Sequence, residues 1–156
     1  MGTEAGLAGL SSGFEGAYLA ERLATRIAQR TGQRPPVGTM DITLYRDDLY
    51  TGLEHPVLGA TDIPFDITEQ GIVLVDDVLF TGRTVRAALN QLMDYGRPRW
   101  VKLLVLVDRG HRELPVAPDF TGITLETHKL DRVQVELTET GASDDRVRVL
   151  PGAVDP

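Results

Sequence analysis

The chain has 156 residues, 42% of them hydrophobic, with a formal net charge of −7 and no cysteine. This length suffices for one domain with a sizeable core, while the longest clean apolar run, Leu103–Val107, is too short to span a membrane. Disulfides, thiol catalysis and cysteine-based zinc sites are excluded, and the negative balance disfavours broad nonspecific nucleic-acid binding.

The N-terminus "MGTEAGLAGLSSG" has neither a basic n-region nor an apolar signal core, which predicts a cytoplasmic protein. Gly6–Ser11 reads as a short buried strand. Gly16–Gly32 reads as a helix: Leu19, Leu23 and Ile27 recur every four residues beside Ala20, Ala24 and Ala28, and Gly32 is a natural stop. After the breaker "RPP", Val37–Tyr45 is a second strand. Arg46–Gln70 carries Asp47, Asp48, Gly52, Pro56, Gly59 and Pro64 with no sustained period, and is expected to be a mobile loop or a loose hairpin that closes over a ligand.

"GIVLVDD" at Gly71–Asp77 is a third strand, apolar enough to be buried on both faces. Val85, Ala88, Leu89, Leu92 and Met93 mark a helix ending near Gly96. Trp100–Asp108 is a fourth strand, and 109–122 reads as irregular. "VQVEL" and "DRVRVL" alternate and predict a terminal hairpin. Strands alternating with helices give an α/β fold, a mainly parallel sheet flanked by helices, in a single domain over 1–156.

The chemistry concentrates at "DDVLFTGRT". Ligands of open α/β sheets bind beyond the carboxyl ends of the strands, where Asp76 and Asp77 are expected. Thr81, Gly82, Arg83 and Thr84 lie between that end and a helix N-terminus, whose free N–H groups and dipole favour phosphate. Gly82 permits close backbone approach. The acids suit ribose hydroxyls or a Mg²⁺ ion, so a ribose 5-phosphate fits the division of labour. The blander reading, a strand end followed by a helix cap, leaves a costly buried acid pair without purpose.

"IVLVDDVLFTGRT" (Ile72–Thr84) resembles the PRPP-binding motif of type I phosphoribosyltransferases. "DITLYRDD" (Asp41–Asp48) and "GRPRWVKLLVLVDRGHRELPVAPDFTG" (Gly96–Gly122) resemble the PyrR family, pyrimidine-operon regulators that are also uracil phosphoribosyltransferases. The similarity runs from about Leu7 to Leu150. It implies the type I phosphoribosyltransferase fold, with a flexible loop in 46–70 and a small hood, and the reaction of uracil with PRPP to give UMP and pyrophosphate. It further implies that Asp76, Asp77 and Val78, with Thr81, Gly82, Arg83 and Thr84, bind PRPP. Mg²⁺ is held through PRPP at Asp76 and Asp77. Val107, Asp108 and Arg109 lie at the base, and Asp77 either helps deprotonate it or acts electrostatically. Pyrophosphate falls to Ser12, Gly13 and Arg46.

The chain departs from the family pattern twice. Family members carry about one more helix before the first strand, and the short Thr-Arg-Gly-like turn after that strand reads "SSGFEGAY" here, without its arginine. Weak turnover is therefore expected, with a non-catalytic UMP or PRPP sensor of the same fold as the alternative. The family's regulatory role implies leader-RNA binding under UMP control. Arg22, Arg26 and Arg30 form one stripe on the first helix for it, with Arg34, Arg132, Arg146 and Arg148 adding charge, against the reading of a solvated helix face. The family also implies a homodimer or higher homo-oligomer. "GLSSG" matches the G-x-S-x-G hydrolase motif, with Ser11 as nucleophile and Asp108 and His128 as partners, but leaves the 76–84 stretch unexplained.

Overall fold

The computed structural model describes residues 5–11, 15–42 and 61–153. Five parallel strands form the main sheet in the order β2-β1-β3-β4-β5: β1 (Ala5–Ser11), β2 (Val37–Asp41), β3 (Gly71–Leu79), β4 (Trp100–Asp108) and β5 (Phe120–Thr124). Helix α1 (Glu15–Thr31) joins β1 to β2, and α2 (Arg83–Met93) joins β3 to β4. The chain thus winds outward in one direction from β1 and in the other from β3, so right-handed crossovers place the two helices on opposite faces.

The cores follow that division. Val85, Ala88 and Leu92 of α2 cover Ala8, Ile72, Leu74 and Val105. On the other side, Tyr18 and Leu19 of α1 pack with Val107, Val135 and Leu137. Val135 lies in β6 (Arg132–Glu136) and Leu137 directly after it, both within the antiparallel hairpin that β6 forms with β7 (Arg146–Leu150), the terminal hairpin anticipated from alternation. Small residues bring α1 close to the sheet: Gly16, Ala20 and Ala24 are its buried positions, and a Cβ on Gly9 would stand 3.2 Å from the Ala17 Cα. Among the described residues no helix is long and apolar enough to cross a membrane.

Three expectations change. β3 does not end at the acids; Val78 and Leu79 continue it, paired with Val107 and Asp108, because the apolar pattern resumes after Asp77. The stretch read as irregular contains β5, an edge strand whose five residues are all exposed and so show no burial alternation. Asp119 starts it by a reciprocal clasp: its Oδ2 accepts from the Leu103 N–H at 2.8 Å, and its N–H donates to the Leu103 carbonyl at 2.8 Å. Finally, of the expected mobile loop 46–70, residues 46–60 lie outside the described residues, as do 43–45 of the expected second strand, but 61–70 are docked. Asp62 and Thr39 exchange two 2.8 Å backbone hydrogen bonds, while Ile63, Phe65 and fully buried Ile67 enter the core. "DIPFDI" alternates at period two, and that alternation was the available signal.

Candidate functional site

Asp76 and Asp77 sit on the central strand. Asp76 is 1% exposed and Asp77 half-buried. Each anchors its Oδ1 on the next backbone N–H, Asp77 N and Val78 N, both at 2.8 Å. The parallel register passes from Asp76–Val105 to Val78–Val107 without a pairing at Asp77. Asp77 is thus the more accessible carboxylate, and Asp76 is bound into the sheet.

The stretch 79–84 turns sharply into α2. Gly82 takes φ 93°, and a Cβ there would meet Val116 at 3.2 Å, so glycine is required on both counts. Thr81 Oγ1 accepts from the Arg83 N–H at 3.3 Å. The N-terminus of α2 has no side-chain cap and no acid in its first turn, which leaves its positive end suited to an anion.

Residues 109–116 lie against this turn. Gly110 (φ 75°) and His111 (φ 66°) are successive left-handed residues that fold the chain back tightly. Arg109 N–H donates to the Leu79 carbonyl at 3.1 Å, and Glu113 and Leu114 N–H donate to that of Thr81 at 2.9 and 3.1 Å. Arg112 donates to the Phe80 carbonyl at 2.9 Å, the Val116 carbonyl at 2.9 Å and Asp108 Oδ2 at 2.7 Å. Burial pushes the Asp108 carboxyl up, but Arg112 and the Gly110 N–H outweigh it and hold it below the usual range. Arg109 is buried, lies 4.0 Å from the Phe80 ring centroid and donates to the His128 carbonyl at 2.9 Å. Its Nε has no partner among the described residues, and burial lowers its pKa. Arg83 Nε reaches Glu113 Oε2 at 2.9 Å.

The candidate residues therefore divide. Asp76 to Thr84 and Asp108–Arg109 converge at one end of the sheet. Val107 contributes its side chain to the core, fully buried beside Val135 and Leu137. Ser12, Gly13 and Arg46 lie outside the described residues. The hydrolase arrangement loses its acid, since the Asp108 carboxylate bonds Arg112 and the Gly110 N–H rather than His128. In the α1 stripe, Arg26 and Arg30 are exposed, but Arg22 is held by Glu139 and Asp145. Arg112 was not singled out from the sequence, although "DRGHRELP" contains it; nothing in its spacing reveals that it faces three acceptors. A hollow of about 620 Å³, bordered by Leu7, Ile27, Pro35 and Val73, opens at the opposite end of the sheet, so concavity alone does not mark the acids.

The phosphoribosyl transferase domain model matches residues 13–140. The Bifunctional protein PyrR of Limosilactobacillus fermentum is 53% identical over 132 residues, 83% of this chain and 74% of that protein. The chain belongs to the PyrR branch of the phosphoribosyltransferase family. The Bifunctional protein PyrR of Acetivibrio thermocellus is 56% identical over 124 residues, covering 80% of this chain and 67% of its own. The fold is also that of a Staphylococcus aureus hypoxanthine phosphoribosyltransferase (TM-score 0.58, 17% identity), over 80% of this chain and 64% of that one. In this PyrR-family chain the acid pair lies on the central strand, β3, and the turn that follows it leads into α2, all within the matched residues.

Proposed function

We propose that this protein binds PRPP with Asp76–Asp77 and the 79–84 turn, and transfers its ribose 5-phosphate to uracil, giving UMP and pyrophosphate. The observation that carries this reading is the uncapped, acid-free α2 N-terminus placed directly after two carboxylates at the carboxyl end of the central strand. The turn takes the 5-phosphate: backbone N–H groups, the Thr81 and Thr84 hydroxyls and the helix dipole all favour the dianion. Asp77, half-buried and anchored through one oxygen, accepts from the ribose hydroxyls and places negative charge near C1 as it turns oxocarbenium-like.

The described residues contain no group of three metal-ligating side chains, whereas Asp76 and Asp77 supply two hard carboxylates. That donor set suits Mg²⁺, which binds through one or two carboxylates together with substrate phosphates. When bound with PRPP, the ion would neutralise charge on the departing pyrophosphate. Asp108 and Arg109, held against the turn by Arg112 and Phe80, flank the base.

The protein's regulatory role is UMP-controlled binding of pyrimidine-operon leader RNA, for which the exposed Arg26 and Arg30 are the residues of the stripe left outside the Arg22 ion pairs. Incubation with uracil, PRPP and Mg²⁺ tests the transferase reading. Pyrophosphate and UMP formed together support it. Binding of UMP or PRPP without release assigns the sensor role, and stabilisation by GMP but not UMP overturns the pyrimidine assignment. Filter binding of leader RNA with and without UMP tests the regulatory half.

A further inference from the structure

We propose that Arg112 is a positioning residue that sets the phosphate-binding turn, locking 79–82 with its carbonyls to the rear and its N–H groups to the ligand. The proposal rests on the donor-site reading above and adds to it how that site is held in shape.

Every carbonyl of the turn is already occupied. Leu79 accepts from Arg109 N–H, Phe80 from Arg112 Nη1, Thr81 from Glu113 and Leu114 N–H, and Gly82 from Arg86 N–H. In a planar trans peptide the C=O of one residue and the N–H of the next point in opposite directions. Carbonyls of Leu79, Phe80 and Thr81 directed at 109–114 therefore direct the N–H groups of Phe80, Thr81 and Gly82 away from it. An anion meets a set of donors already turned outward, and their reorientation is not charged against its binding.

Arg112 alone among these contacts is a side chain, and each of its three guanidinium nitrogens has an acceptor. Nη1 takes Phe80, Nε takes Val116, the residue that packs against Gly82, and Nη2 takes Asp108. One planar guanidinium thus joins the phosphate side, through Phe80, to the base side, through Asp108. Lysine, with a single ammonium on a flexible stem, cannot hold three acceptors in that plane.

The test uses the full-length chain with Arg112→Gln and Arg112→Lys. Hydrogen exchange across 79–84 should accelerate in both variants, more in Arg112→Gln, while β4 and the body of α2 exchange as in the wild type. Affinity for ribose 5-phosphate by titration calorimetry, and KM for PRPP, should worsen by about tenfold in Arg112→Gln, with a smaller rise in the uracil KM because Asp108 loses the same anchor. Arg112→Lys should fall between the two. If Arg112→Gln does not fold, Arg112→Lys carries the same readouts. Unchanged exchange in the turn, or an equal rise in both KM values, overturns the proposal. A turn that loosens on substitution in a protein whose wild type binds no ribose 5-phosphate supports the clamp and overturns the donor-site reading instead.

Discussion

Arg22 on α1 grips Glu139 with two donors, Nε to Oε1 at 2.6 Å and Nη2 to Oε2 at 2.5 Å, and the same guanidinium reaches Asp145 Oδ2 at 2.6 Å. Glu139 and Asp145 lie between β6 and β7, so a residue expected from its stripe to face RNA instead staples the terminal hairpin to the first helix. Arg22 holds both carboxyls below their usual range. Since the folded pKa values are depressed, this contribution is present above the ordinary carboxylate range and is lost only as pH falls through the lower folded values. The pairs are partly exposed, with Arg22 at 37% and Asp145 at 46%, so their worth is modest. R22Q should lower Tm by about 2–4 °C at pH 7 and low salt. The gap between wild type and variant should shrink below about pH 4 and in about 1 M salt. Differential scanning calorimetry across pH and salt checks this. A gap unchanged between pH 7 and pH 2 contradicts the staple.

The same arrangement predicts how the arginine stripe divides. R26A and R30A should weaken leader-RNA binding and flatten its salt dependence by about one charge each. R22A should leave the RNA affinity within about twofold at 0.1 M salt, because its charge is already neutralised by two carboxylates. Filter binding of the three variants across a salt series reads both effects.

Gly82 is constrained twice, by its left-handed φ and by Val116 beside it. G82A should therefore destabilise by about 1–2 kcal/mol, since alanine at positive φ costs more than the entropy it saves. Because the strain falls on the turn, KM for PRPP should rise by at least about tenfold while the uracil KM stays near wild type. Thermal melts and steady-state kinetics separate the two effects. A stable variant with unchanged PRPP kinetics removes the turn from the donor site.

Much of this layout was legible in the residues. The α1 and α2 patterns, the apolar runs of β3 and β4 and the alternation of the last hairpin each state one period clearly, because each element faces one environment along its length. β5 was hidden because an exposed edge strand has no buried face to write into its sequence; it is fixed by backbone pairing to β4 and by the Asp119–Leu103 clasp. At the site, the order acid, acid, threonine, glycine, threonine reveals the phosphate and hydroxyl halves. The part that shapes the turn was not legible, since Arg112 meets Phe80 across 32 residues and Asp108 across four, and only the Gly110–His111 reversal brings them together.

Asp77 is accessible where Asp76 is buried, and its Oδ1 is committed to the Val78 N–H. The asparagine side chain in D77N retains that bond through its carbonyl oxygen, so the variant should fold with Tm within about 2 °C of wild type. What it loses is the charge, and with it either proton abstraction or electrostatic support at C1. UMP formation should fall on the order of 10²-fold. A solvent deuterium isotope effect on UMP formation then separates the two roles: proton transfer to Asp77 gives the wild type an effect that D77N lacks, whereas a purely electrostatic role leaves the effect the same in both.

Gly71 opens β3 directly beneath Trp100, its register partner on β4. A Cβ at residue 71 would stand 2.1 Å from the indole Cζ2 and 2.4 Å from Cε2, a distance no van der Waals contact allows. The Lys102 ammonium lies 5.2 Å over the ring and β4 fixes the Trp100 backbone, so relief of the clash requires the indole to leave its rotamer and that contact. G71A should therefore overpack the start of the sheet at a cost of about 1–3 kcal/mol, lowering Tm by about 3–10 °C. The site lies at the other end of β3, so kcat and both KM values measured well below the transition should match wild type. W100A in the G71A background should recover part of the loss by removing the clash, giving a non-additive pair in a double-mutant cycle. Additive losses would show that the indole and the glycine do not act on each other.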